Sequence, residues 1–171
     1  MTPIRLRPWK LEDAPSLQKY ANNPAITGNL RDAFPSPYTL EDARFFIQSC
    51  RQRDPKTALC YAIEVNGEAV GCINLLVQSD VYCKSAEINY LLGQPFWGQG
   101  IMTQAIRQIC EEGFASMDII RIYAEVFSRN FASQTVLEKN GFQLEGTMRR
   151  SIYKHGEIQD AYLYALLKPE L

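Results

Sequence analysis

The spacing of apolar positions switches between period two and the helical period, and the switches divide the chain into elements. Ile4-Arg5-Leu6-Arg7 alternates like a strand and stops at Pro8. From Leu11 to Asn22, Ala14, Leu17, Tyr20 and Ala21 fall on one helical face. Residues 23 to 38 carry Pro24, Gly28, Pro35 and Pro37, a loop too long for a mere connection and therefore a candidate wall or lid of a substrate site. Thr39-Leu40-Glu41-Asp42 then reads as a helix start, with Thr39 as cap and an acid three residues on. Ala43, Phe46, Ile47 and Cys50 extend its stripe.

Strands follow. Leu59 to Val65 and Ala69 to Val77 flank Asn66-Gly67, the strongest short hairpin signal. Ser85 to Leu92 reads as a third strand, antiparallel to the second across a turn near Ser79-Asp80. At Ile101 the period becomes helical: Ile101, Met102, Ala105, Ile106, Ile109, Cys110 and Phe114 form one stripe, with charged and polar residues opposite. Ile119 to Phe127 is a β-branched strand, and Phe131 to Lys139 a short helix capped by Asn130 and stopped at Asn140-Gly141. Strands over Phe142 to Tyr153 and Glu157 to Leu167 are joined at His155-Gly156. Seven strands and about four helices predict an α/β (α+β) fold, a mixed sheet flanked by helices.

Composition narrows the classes. A chain of 171 residues holds one core, so 1–171 is expected to be a single domain. Lys and Arg number 18 against 19 Asp and Glu, which gives no electrostatic warrant for nucleic acid or an anionic membrane as partner. Five cysteines without a C-x-x-C spacing, and a single histidine, His155, argue against a zinc site, and no metal is expected. The thiols read as buried and reduced. With no long apolar run and no signal peptide, the expected location is cytoplasmic.

Two segments carry candidate chemistry. In Tyr90-Leu91-Leu92-Gly93-Gln94-Pro95-Phe96-Trp97-Gly98-Gln99-Gly100-Ile101-Met102-Thr103 a strand enters a glycine-containing turn that opens directly into an amphipathic helix. Unpaired N–H groups and the positive end of a helix dipole then converge, which suits an anion such as pyrophosphate. It is no Walker loop, lacking Gly-Lys-Ser/Thr, and Thr103 stands where a dinucleotide fingerprint needs its third glycine. An ordinary strand-to-helix turn is the competing reading. The second segment, Asn130-Phe131-Ala132-Ser133, is on its own a capped helix start.

Together, Phe96-Trp97-Gly98-Gln99-Gly100-Ile101-Met102-Thr103 and Asn130-x-x-Ser133 with Gly141-Phe142 behind it resemble the GNAT superfamily of N-acetyltransferases. Arg5-Leu6-Arg7-Pro8-Trp9 and Pro35-Ser36-Pro37-Tyr38-Thr39-Leu40-Glu41-Asp42-Ala43 are similar to its ribosomal-protein (RimJ/RimL-type) branch. The resemblance covers essentially the whole chain. It implies a single-domain GNAT-type acyl-CoA N-acyltransferase fold with a mixed, mostly antiparallel seven-stranded sheet. Acetyl-CoA is then the implied cosubstrate, held in a cleft where the third and fourth strands of the central run splay apart. Its pyrophosphate is expected on the amides of Gly98, Gln99, Gly100, Ile101, Met102 and Thr103, beside Trp97, with Asn130 and Ser133 lining the cofactor. A backbone N–H near Leu92 is expected on the thioester oxygen, where charge develops in the transition state.

The resemblance implies an amine acceptor, a protein N-terminus or a small molecule, and is compatible with a homodimer. Many members carry a tyrosine acid where this chain has Leu137; Ser133 is the matching candidate for the leaving sulfur, and a helix-start role competes with it. Glu87, on the strand leading to the loop, is the base candidate, against the reading of a cross-strand partner for a nearby Lys or Arg. Only Asp32 is anionic in the 23 to 38 loop, which weighs against a polycationic acceptor. Two alternatives stay open: a non-catalytic CoA-binding or regulatory module, and a nucleotide-binding domain.

Overall fold

The computed structural model describes residues 1–170. Seven strands form one sheet in the order β1-β2-β3-β4-β5-β7-β6. They are β1 (Arg5–Pro8), β2 (Ala58–Val65), β3 (Glu68–Val77), β4 (Ser85–Leu92), β5 (Arg121–Phe127), β6 (Gln143–Lys154) and β7 (Glu157–Leu167). Five helices pack on it: α1 (Ala14–Ala21), α2 (Pro24–Thr27), α3 (Leu40–Arg51), α4 (Ile101–Ser116) and α5 (Phe131–Lys139). Every neighbouring pair is antiparallel except β4 and β5, because α4 carries the chain across between them.

Each face of the sheet buries its own cluster. The stripe of α4 (Ile101, Ala105, Ile106, Ile109) and Leu137 of α5 pack on Ile73, Leu75, Ile88 and Ile122. On the other face Leu17 and Ala21 of α1 and Ala43 and Ile47 of α3 meet Trp9, Ala62, Cys72 and Leu91. Ile106 has no exposed surface, so its truncation to alanine leaves a cavity worth about 2–5 kcal/mol.

The turns follow their chemistry. Asn66 and Gly67 take φ of 50° and 83°, the pair of positive values a two-residue hairpin requires. Thr39 accepts from Asp42 N while Asp42 reaches back to Thr39 N, the reciprocal cap expected of that spacing. The first long helix starts later than its periodicity suggests, because Leu11–Asp13 form a tighter turn ahead of α1. The 23 to 38 segment is also not wholly loop. Asn23 accepts from Ala25 N and Pro24 opens a single helical turn, which makes five helices instead of about four. Cys72 and Cys110 are buried and Cys50 and Cys60 half-buried, but Cys83, in the turn before β4, is exposed. No helix among the described residues is long and apolar enough to cross a membrane.

Candidate active site

The sheet opens at its one parallel junction. Ser85, Ala86 and Glu87 pair with Arg121, Ile122 and Tyr123, and there the β4–β5 register ends, although both strands continue. From this point β4 holds only to β3 and β5 only to β7. Gly93 N donates to Val70 O at 2.8 Å, so by strand alternation the N–H and C=O of Leu92 face the gap. Trp97 Nε1 donates to Leu92 O at 2.8 Å. The half-exposed indole therefore braces the turn against the end of β4, and the Leu92 N–H is the donor on the lip of the gap.

The turn delivers the chain to α4 through two glycines. Gly98 and Gly100 both sit at φ 73°, left-handed backbone that a side chain would strain. Thr39, Asn130 and Asn23 cap α3, α5 and α2 with side-chain oxygens, but no side chain caps α4, and its first turn holds no acid. The first-turn amides at Ile101, Met102 and Thr103 thus form an electropositive terminus on a sixteen-residue helix. Ile101 and Met102 turn their side chains into the core and present only backbone here. Gln99 spends its side chain on Pro95 O at 3.1 Å and on Thr2 Oγ1 at 3.0 Å. Gln104 Nε2 donates to Thr2 O at 2.7 Å, so residues 1 and 2 lie along this loop.

Across the gap stands α5. Asn130 Oδ1 accepts from Ser133 N at 3.2 Å, the N-cap bond expected of it. Ser133 Oγ does not join the cap; it lies 2.5 Å from the hydroxyl of Tyr90 on β4. Burial pushes the Tyr90 phenol above its ordinary range, with the Ser133 bond pulling the other way. Leu137 is fully buried in the core and takes no part.

The opposite face of the strands carries charge. Arg31, from the 23 to 38 segment, places Nη2 3.4 Å from Glu87 Oε1 on β4 and 3.5 Å from Glu125 Oε2 on β5. Tyr123 lies beside them, its phenol raised by burial and by the two carboxylates. Lys154, at the tip of the β6–β7 hairpin, donates to Leu30 O and reaches Asp32 at 3.2 Å. The 23 to 38 segment is thus pinned over the mouth of the gap, as a wall would be. Asp160 accepts from Arg150 N at 2.8 Å, and His155 sits in the hairpin turn at φ 52°.

The structure therefore gathers Leu92, Trp97, the Gly98–Thr103 turn, Asn130 and Ser133 around one gap, with Glu87 on the far face of its rim. Glu87 does meet a cation, but the partner is Arg31 of the loop and not a cross-strand neighbour. Sequence reasoning missed Tyr90, Glu125 and Arg31. Alternation along the two strands could have placed Glu125 on the face of Glu87; nothing local signals the reach of Arg31 or the Tyr90–Ser133 pairing.

Known proteins resemble this arrangement. Residues 4–143 match the sequence model of the acetyltransferase (GNAT) domain. An uncharacterized N-acetyltransferase, p20 of Bacillus licheniformis, is 30% identical over 98% of this chain and 94% of its own length. Among solved structures, RimL, a ribosomal L7/L12 alpha-N-protein acetyltransferase in complex with coenzyme A, superposes with a TM-score of 0.84. It is 27% identical, over 98% of this chain and 95% of that one. The microcin C7 self-immunity acetyltransferase MccE, in complex with acetyl-CoA and AMP, gives a TM-score of 0.82 at 26% identity, covering 96% and 92%.

Proposed function

The chain belongs to the GNAT acetyltransferase family, and from that premise we propose how its residues move an acetyl group from acetyl-CoA to an amine. The observation that carries the proposal is the β4–β5 gap opening onto the uncapped, acid-free N-terminus of α4. Bound there, acetyl-CoA supplies an activated acyl group as a thioester.

The amides of Gly98 to Thr103 hold the pyrophosphate, supported by the positive end of α4. Trp97, by fixing the Leu92 carbonyl, leaves the Leu92 N–H to donate to the thioester oxygen as charge builds on it. Asn130 holds the start of α5 in place and lines the cofactor, and Ser133 donates to the sulfur. Glu87, through water, takes the proton that the attacking amine must lose. Chain 1–171 acts as one domain, a reading supported by a single sheet that takes strands from Arg5 to Leu167.

The acceptor is an amine of a protein N-terminus or of a small molecule, the former favoured by the likeness to RimL, whose named acceptor is ribosomal L7/L12. The deciding experiment measures release of CoA thiol from acetyl-CoA with peptide N-termini and small amines as acceptors. Turnover with one acceptor class identifies it. Tight CoA binding with no turnover on any amine would make the chain a CoA-binding module.

A further inference from the structure

Tyr90 meets Ser133 across the gap, and the scheme above gives it no task. It projects from β4 on the face packed by α4 and α5, with Ile88 and Leu92 on either side in the strand's alternation. Its hydroxyl spans the gap to Ser133 Oγ at 2.5 Å, at the short end for O–H···O bonds. Between two hydroxyls only one hydrogen lies on the shared axis; the other points elsewhere.

We propose that Tyr90 is a positioning residue for the leaving group: its hydroxyl donates to Ser133 Oγ and thereby aims the Ser133 O–H at the sulfur of bound acetyl-CoA. The inference rests on the reading of Ser133 given above. A lone serine hydroxyl rotates and has several local acceptors at a helix start, the preceding turn's carbonyls among them. With Tyr90 donating, one lone pair of Ser133 is occupied and its hydrogen is left for an acceptor beyond the pair. As the amine nitrogen forms its bond to the acyl carbon, the C–S pair moves onto sulfur and the amine's proton leaves to the base. Two aligned O–H dipoles then point at the new thiolate, each strengthening the other. The opposite arrangement, Ser133 donating to Tyr90, would turn the serine's lone pairs toward that charge. Burial pushes the phenol above its ordinary range, so it keeps the proton that this bond requires.

The test needs no acceptor. Coenzyme A is bound to the wild type and to Ser133→Ala, Tyr90→Phe and the double variant. The thiol of each complex is titrated by thiolate ultraviolet absorbance, with the desulfo-CoA complex as blank, between about pH 7 and 10, around the ordinary thiol range. In the wild type the thiol titrates lowest. Ser133→Ala raises it by about one unit, a tenfold loss of thiolate stabilisation. Tyr90→Phe raises it part of the way and adds nothing in the Ser133→Ala background. A Tyr90→Phe titration identical to wild type, or an equal Tyr90→Phe shift with and without Ser133, overturns the positioning role while leaving Ser133 on the sulfur. No shift in Ser133→Ala itself overturns the serine's role and this inference with it.

Discussion

Arg31 Nη2 lies 3.4 Å from Glu87 Oε1, so a cation of the wall segment reaches the carboxylate proposed as proton acceptor. The contact is long and the arginine mostly exposed, a geometry worth little to stability, about 0–1 kcal/mol. Glu87 is thus free to exchange this partner for a water and an incoming amine. Glu87→Gln keeps the shape and removes the charge. Turnover should fall about 10²-fold at neutral pH, the ordinary scale of general-base loss. The deficit should shrink as pH rises toward an aliphatic amine's pKa near ~10.4, because solvent then deprotonates the acceptor. Wild-type turnover in Glu87→Gln from about pH 6 to 9, around that neutral range, would remove the role and leave the residue as a partner of Arg31.

How far the sequence could be read depends on how local each signal is. Asn66-Gly67, the Thr39–Asp42 cap and the Phe131–Lys139 helix depend on neighbours within a few residues, and all three stand as expected. The gap came only with the family resemblance, because a strand, a glycine turn and an amphipathic helix in succession imply a crossover to a parallel strand and not that the two strands part. Tyr90 and Ser133 are 43 residues apart and Arg31 and Glu87 56 apart. Neither pairing leaves a trace in spacing, since each is set by the sheet's register and by how the wall segment folds over it. The turn at Pro24 was hidden for another reason: four residues are too few to show a period, although Asn23-Pro24 is itself a cap followed by a first-position proline.

The α4 terminus allows stability and binding to be driven in opposite directions. Thr103→Glu places a carboxylate in the first turn, where the helix dipole welcomes it by about 0.3–1 kcal/mol. The same charge repels a pyrophosphate held on the neighbouring amides. Thermal stability should hold or rise while CoA affinity falls at least tenfold, about 1.4 kcal/mol. Calorimetry and melting on one preparation read both. Unchanged affinity would place the pyrophosphate elsewhere. This substitution is cleaner than one at Gly100, where φ 73° would add backbone strain to any loss of binding.

Asn130 uses one lone pair of Oδ1 for the cap of α5, and its Nδ2 donors are left to meet the cofactor. Asn130→Ala should cost about 1 kcal/mol, and Asn130→Ser, which caps as well, should restore it. CoA affinity should stay reduced in both, because neither side chain supplies the amide N–H. Affinity that recovers together with stability in Asn130→Ser would make Asn130 a cap and nothing more.

Arg7 joins β1 to the turn before α1 and to β2. Arg7, 5% exposed, donates through both terminal nitrogens to Asp13, at 2.7 and 2.8 Å, and through Nε to Glu64. Asp13 also accepts from Lys10 N at 2.9 Å. Burial pushes the Asp13 carboxyl up, but the Arg7 hydrogen bonds, the Lys10 N–H and the Arg7 charge outweigh it and hold it below the ordinary range. A carboxylate whose pKa is lower folded than unfolded contributes stability above its unfolded value, near ~3.9, and loses it as pH falls through the folded one. Stability in urea should therefore be flat from neutrality to about pH 5 and decline below about pH 4. Asp13→Asn should start lower and decline less steeply over that acid range. Arg7→Met strands two carboxylates in the joint and should cost about 3–5 kcal/mol at neutral pH, the penalty for breaking a buried pair from one side. Acid limbs of equal slope in wild type and Asp13→Asn would show that Asp13 is not the group whose protonation unlocks the joint.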